Sequence, residues 1–185
     1  MSFTISQEAK KRLDEIKKQY PDPKSAVMSA LYLVQEEHHH ISDEAISWIA
    51  DELGMSPVRV MELVTFYTMY RRKEVGKYHV QVCRTLSCGL CGARKLMDYL
   101  HERLGIVPGE VTEDGLFSYE HVECLGSCGT GPMCEINDTY FENLTPEKLA
   151  DIIDRIQAEK PELHFSTLRD KLGEGLSGCP KSEVM

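Results

Sequence analysis

Cys83 and Cys88, with four residues between them, and Cys124 and Cys128, with three between, form two short-range pairs of soft sulfur ligands. Glycines crowd both pairs: Gly89 and Gly92 beside the first, Gly126, Gly129 and Gly131 around the second. Two such pairs, brought together from distant sequence, can hold a small metal centre. Iron–sulfur clusters are bound mainly by four thiolates, and ligand spacing identifies the type of site. Glycine lets backbone N–H groups come close to sulfur and hydrogen-bond to it, one of the levers on reduction potential. The chemistry this pattern points to is one-electron redox.

Other chemistries fit parts of the pattern. Four thiolates also make a structural zinc site, and spacings of this length suit zinc. Against it, zinc staples folds with small cores, and this chain has core enough. Cys88-Gly89-Leu90-Cys91 is a C-x-x-C between a strand and a helix, the layout of a thioredoxin-like dithiol, in which a helix N-terminus lowers a thiol pKa. That reading leaves Cys83, Cys124 and Cys128 without a role. Cys83, Cys88 and Cys91 together make C-x4-C-x2-C, the plant-ferredoxin spacing, with Cys124 or Cys128 as fourth ligand. This changes the ligand set and keeps the 2Fe–2S chemistry. Cys134, in an apolar segment, reads as a small buried hydrophobe, and Cys179 lies in a polar tail.

The elements that must position these residues can be read from periodicity. Residues 1–74 are expected to form a helical bundle. Ser6 caps a first helix to about Tyr20, broken by Pro21 and Pro23, and Ser25 caps a second carrying Leu31, Leu33 and Val34. Ser42 caps a third ended by Gly54, and Ser56-Pro57 opens a fourth through Phe66 and Tyr67. Residues 75–160 change period. Lys77–Val82 alternates as a strand and runs into Cys83, residues 92–104 are helical, and Phe117–Glu123 is a strand running into Cys124. Two short strands flank Asn137-Asp138, and Thr145-Pro146 caps a last helix to about Lys160. The order β-α-β-β-α predicts an α/β, thioredoxin-like sheet with both cysteine loops at strand ends, where such folds place their sites. The polar residues 161–185 read as a tail.

Thirty acidic residues against 21 basic ones give a formal charge of −9, which argues against a nucleic-acid partner. No apolar run is long enough to cross a bilayer, so no direct membrane insertion is expected. The first residues lack the cationic and apolar blocks of a signal peptide. A cytoplasmic location follows as the expectation, and in a reducing compartment seven cysteines are read as metal ligands or redox thiols rather than disulfides.

The segments Val82-Cys83-Arg84-Thr85-Leu86-Ser87-Cys88 and Glu123-Cys124-Leu125-Gly126-Ser127-Cys128-Gly129-Thr130-Gly131-Pro132-Met133 resemble the thioredoxin-like 2Fe–2S subunit of the NADH dehydrogenase module of respiratory complex I. Related subunits occur in NAD-linked hydrogenases and formate dehydrogenases. The resemblance extends through Val64-Thr65-Phe66-Tyr67, Leu104-Gly105-Ile106, Pro108–Thr112 and Leu144-Thr145-Pro146-Glu147, and covers about residues 8–158. It implies one 2Fe–2S cluster on Cys83, Cys88, Cys124 and Cys128 and does not require Cys91, Cys134 or Cys179. It implies an electron-transfer subunit of a hetero-oligomeric NADH:quinone oxidoreductase, at the cytoplasmic face of the membrane in a peripheral arm. NADH delivers a hydride and the cluster takes single electrons, so a flavin must stand between them. The chain has neither G-x-G-x-x-G nor a P-loop, so FMN and NADH are expected on a partner subunit, and no catalytic residue is expected here. A diaphorase subunit of a hydrogenase or formate dehydrogenase, or a thiol–disulfide oxidoreductase using Cys88 and Cys91, are the alternatives.

The remaining candidates have plainer readings. His38-His39-His40 would point in different directions on a helix and reads as a solvated helix end. Trp48, Phe66, Tyr67 and Tyr70 read as bundle packing with a share in partner contact. Arg71-Arg72 reads as a solvated helix end. Arg84 and Arg94-Lys95 either offset cluster charge or are simply exposed.

Overall fold

The computed structural model describes residues 3–163, so the expectation for the tail, from residue 164 onward, and for Cys179 lies outside the described residues. The chain divides into two compact units, with the boundary between Glu74 and Val75.

The first unit holds α1 (Gln7–Lys17), α2 (Val27–His38), α3 (Asp43–Leu53) and α4 (Pro57–Phe66). Ser6 and Ser42 cap α1 and α3 by accepting from the Ala9 and Ala45 N–H groups, and Gly54 ends α3 at φ 63°. The second start differs from expectation. Asp22, accepting from the Lys24 N–H, opens a 3-10 turn over Pro23–Ala26 that leads straight into α2, so Ser25 lies inside the turn. Proline pre-sets φ for a first helical position, and the aspartate before it supplies the cap. Leu13, Leu31, Leu33, Val34, Ile41 and Ile49 fill the core. Buried Gln35 ties down the segment after α4, donating to Met69 O (2.9 Å) and accepting from Arg71 N–H (2.7 Å).

The aromatic group divides. Tyr70 is buried and donates to Met28 O at 3.1 Å, whereas Phe66 is 77% exposed at the end of α4. Arg71-Arg72 lies beyond α4 rather than at its end; Arg72 pairs with Asp43 at 2.6 Å. His38 ends α2, and His39 leaves the helix in the left-handed region.

The second unit is built on a four-stranded sheet in the order β2-β1-β3-β4, from β1 (Tyr78–Cys83), β2 (Phe117–Val122), β3 (Cys134–Ile136) and β4 (Thr139–Phe141). β1 runs parallel to β2 and antiparallel to β3, and β3 and β4 form a hairpin. A parallel pair needs a long crossover, and the chain between β1 and β2 supplies it with α5 (Leu86–Leu90) and α6 (Ala93–Leu104). Tyr78, Val80 and Val82, with Phe117 and Tyr119, make a core with Leu96 and Leu100 of α6 and Leu149, Ile153 and Ile156 of α7 (Pro146–Glu159). The order β-α-β-β-α is therefore present, with α5 as an addition at the first cysteine loop. Five residues containing glycine carry no helical period, which is why α5 leaves no mark in the pattern. No helix among the described residues is long and apolar enough to cross a membrane.

Candidate metal centre

The parallel pairing of β1 and β2 sets the site. Cys83 ends β1 in register with Val122 at the end of β2, so both strands release their chains at the same end of the sheet. The Arg84 N–H donates to Val122 O (3.0 Å) and the Cys83 N–H to Met133 O (3.3 Å), which holds the three chain segments side by side. Cys124 follows β2 by two residues, and Cys128 opens a 3-10 turn, Cys128–Thr130.

α5 turns Cys88 inward. Cys83 and Cys88 are each 1% exposed, while Leu86 and Leu90, on the outer side of the same short helix, are 77% and 80% exposed. Cys91 is exposed at the C-cap of α5, its N–H donating to Ser87 O at 3.0 Å. Gly131 closes over Cys88: a Cβ there would lie 3.1 Å from Cys88 Sγ and 3.4 Å from its Cα. A side chain there would press on the thiol, which would have to give way by a few tenths of an ångström. The second pair is exposed, with Cys124 Sγ 3.3 Å from Cys128 Sγ. Gly126, at φ +87°, donates its N–H to Cys124 Sγ at 3.4 Å.

Within each pair the two thiols behave oppositely. Burial opposes ionisation of Cys83, but the Thr85 hydroxyl and N–H, the Leu125 N–H and the Cys88 thiol all favour its thiolate, and its pKa falls below the ordinary value. The Thr85 hydroxyl stands 3.2 Å from Cys83 Sγ. Burial and the neighbouring Cys83 push Cys88 up to about 11. The Gly126 N–H and Cys128 lower Cys124, whereas Cys128 is raised by its bond to Cys124 and by the charge there. Cys83 acts electrostatically on both Cys124 and Cys128, so the four sulfurs share one electrostatic environment.

The other cysteine stands apart. Cys134 pairs with Val82 across β1–β3 inside the apolar core, and burial drives its thiol pKa far up. Arg84 is largely exposed and bonded to Glu123 at 2.6 Å, so much of its charge is met locally. Sequence reasoning missed the hydroxyls of the two loops: Thr85 beside Cys83, Ser87, which favours the Cys128 thiolate, and Ser127 and Thr130, which meet each other. Their signal was available, since each lies within two residues of a cysteine of the two pairs. Glu142, which accepts from Ser127 and Thr130, carries no such signal.

Among the described residues no three His, Cys, Asp or Glu side chains gather as a single-ion site would require. What is present is two pairs of thiols, one from each loop, with N–H and O–H donors turned toward sulfur. The donor set and the glycine cradle fit a 2Fe–2S cluster, which takes four thiolates.

The comparisons with known proteins agree. Residues 13–157 match the sequence model of the family described as Thioredoxin-like [2Fe-2S] ferredoxin. The chain is 47% identical over 151 residues to NADH-quinone oxidoreductase subunit 2 of Thermus thermophilus, covering 80% of this chain and 83% of that one. It is 40% identical over 159 residues to an NADH-quinone oxidoreductase subunit of Rickettsia conorii, covering 84% and 95%. Among solved structures, a chain of an NAD+-reducing [NiFe]-hydrogenase in the air-oxidized state superposes with a TM-score of 0.64 at 19% identity, over 74% of this chain and 23% of that one. At that identity the likeness is one of fold. With a family match that spans both cysteine loops, this chain belongs to the thioredoxin-like 2Fe–2S ferredoxin family.

Proposed function

We propose that this chain is the electron-transfer subunit of an NADH-quinone oxidoreductase, binding one 2Fe–2S cluster on Cys83, Cys88, Cys124 and Cys128 and exchanging single electrons with the flavin of a partner NADH-oxidising subunit. One observation carries the ligand set: two parallel strands deliver Cys83 and Cys124 to the same end of the sheet, where each loop supplies a second thiol. When bound, the cluster supplies a one-electron redox step. The protein's part is to hold four thiolates together. Thr85, Leu125 and Gly126 donate hydrogen bonds that offset the sulfur charge, and Gly131 leaves space for Cys88.

The uneven exposure of the pairs gives the centre a direction. Cys83 and Cys88 lie inside and Cys124 and Cys128 outside, so the second loop is the edge through which an electron enters or leaves. Relatives named NADH-quinone oxidoreductase subunits, matched over most of their length, support this parent complex over a hydrogenase. The helical unit, residues 1–74, serves in docking. Exposed Phe66 (77%) and Val58 (66%) on α4 are the kind of side chains that anchor interfaces. The complex would stand as a peripheral arm at the cytoplasmic face of the membrane.

NADH added to the isolated, cluster-loaded chain should leave the visible spectrum unchanged. The same addition with the flavin-bearing partner present should bleach it. NADH oxidation by this chain alone, with a chemical electron acceptor, would contradict the assignment.

A further inference from the structure

The loop bearing Cys124 and Cys128 contains only one 3-10 turn, yet it is fastened along its length by β4 and the residues after it. The Tyr140 hydroxyl donates to Leu125 O (2.9 Å), the Asn143 N–H to Thr130 O (2.7 Å) and the Leu144 N–H to Pro132 O (2.9 Å). At the middle of these anchors sits Glu142. One of its carboxylate oxygens, Oε1, accepts from both Ser127 Oγ and Thr130 Oγ1, the latter at 2.5 Å, and the two hydroxyls are 2.7 Å apart. Ser127 precedes Cys128 directly, and Thr130 closes the turn that Cys128 opens. Hydroxyls that donate to a carboxylate make short, strong bonds, and a single acceptor shared by two donors fixes both.

We propose that Glu142 is a positioning residue for the Cys124–Cys128 pair: it clamps the turn that presents Cys128 and sets a fixed negative charge beside the centre, which lowers the reduction potential. The proposal rests on the ligand set above. The two effects are separable by chemistry. Glutamine keeps an acceptor oxygen of nearly the same shape and removes the charge. Alanine removes both. A negative charge nearby disfavours an added electron, and loss of that charge favours reduction.

The test uses the full chain with its cluster. In an EPR-monitored redox titration, Glu142→Gln should keep the cluster content of the parent and move the midpoint to a more positive potential. Glu159→Gln, at the far end of α7 and roughly 20 Å along that helix from its start, should leave the midpoint in place. Hydrogen exchange on the cluster-free chain reads the clamp by itself. The Thr130 and Asn143 amides, bonded to Ser127 O and Thr130 O, should exchange faster in Glu142→Ala than in the parent. An unchanged midpoint in the glutamine variant, or unchanged exchange in the alanine variant, overturns the proposal. A parent chain that takes up no iron would instead sink the cluster assignment, and the exchange experiment would still decide whether Glu142 clamps the loop.

Discussion

The two cysteine loops solve the same problem by different means. The first is held by regular structure: Cys83 ends a central strand, Cys88 sits on the inner face of α5, and both are buried. The second has little regular structure, is exposed, and depends on side-chain and backbone bonds from the β4 region. Burial pushes Cys88 up, while at the second loop hydrogen bonding and nearby charge set the thiols. A centre with one sheltered wall and one open wall is protected from solvent on one side and accessible to an electron partner on the other. The sheltered wall depends on packing volume and the open wall on hydrogen bonds, and substitutions should respect that division.

The largest effect is expected where volume is tightest. Gly131→Val places branched carbon against Cys88, whose Sγ already lies 3.1 Å from a single added Cβ. Iron content of the purified variant should fall to a small fraction of the parent, whereas Gly129→Ala, with open space at its Cβ, should retain the cluster. Equal iron in both variants would remove the packing distinction.

Next comes the reactivity of the cluster-free thiols. The thiolate is the nucleophile. Cys124 is exposed with a lowered pKa, and Cys88 is buried with a pKa of about 11. At pH 8, iodoacetamide labelling followed by peptide mass mapping should find Cys124 modified first and, of the four paired thiols, Cys88 last. Labelling of Cys88 ahead of Cys124 would reverse the inside–outside comparison.

A smaller effect follows at Thr85. Its hydroxyl lowers the Cys83 pKa, so Thr85→Val should raise it. A thiol whose folded pKa is depressed contributes stability above its unfolded pKa, and that contribution is lost as pH falls through the folded value. The variant should therefore need a higher pH than the parent for half-maximal cluster assembly, followed by visible absorbance. An unshifted midpoint would show that the hydroxyl does not act on Cys83. The smallest effect belongs to Arg84→Ala, which removes an exposed pair with Glu123 and should change thermal stability by less than about 1 kcal/mol.

Most of the architecture was legible from local pattern. Strand alternation from Lys77, the caps at Ser6, Ser42 and Thr145, and the glycine stop at Gly54 each reflect a rule acting within a few residues, and each matches an element found. That both cysteine loops leave the same end of the sheet was legible, because each of two strands runs into a cysteine and the strands are parallel. What stayed hidden was either too short for a period, as with α5, or depended on contacts across the fold. Asp22 replaced Ser25 as the cap because a proline one residue on begins the turn early. Glu142 acts on a loop more than ten residues away through a hairpin, and nothing in its neighbours announces that role.

The central claim is that four cysteines from two unlike loops hold one centre, and its most direct measurement is iron, acid-labile sulfide and the EPR spectrum of the dithionite-reduced full chain, purified anaerobically. The account predicts two iron and two sulfide per chain, a rhombic or axial signal, no change in Cys91→Ser and a lost or altered signal in Cys128→Ser. Zinc in place of iron, or no metal with freely titrating thiols, would contradict it.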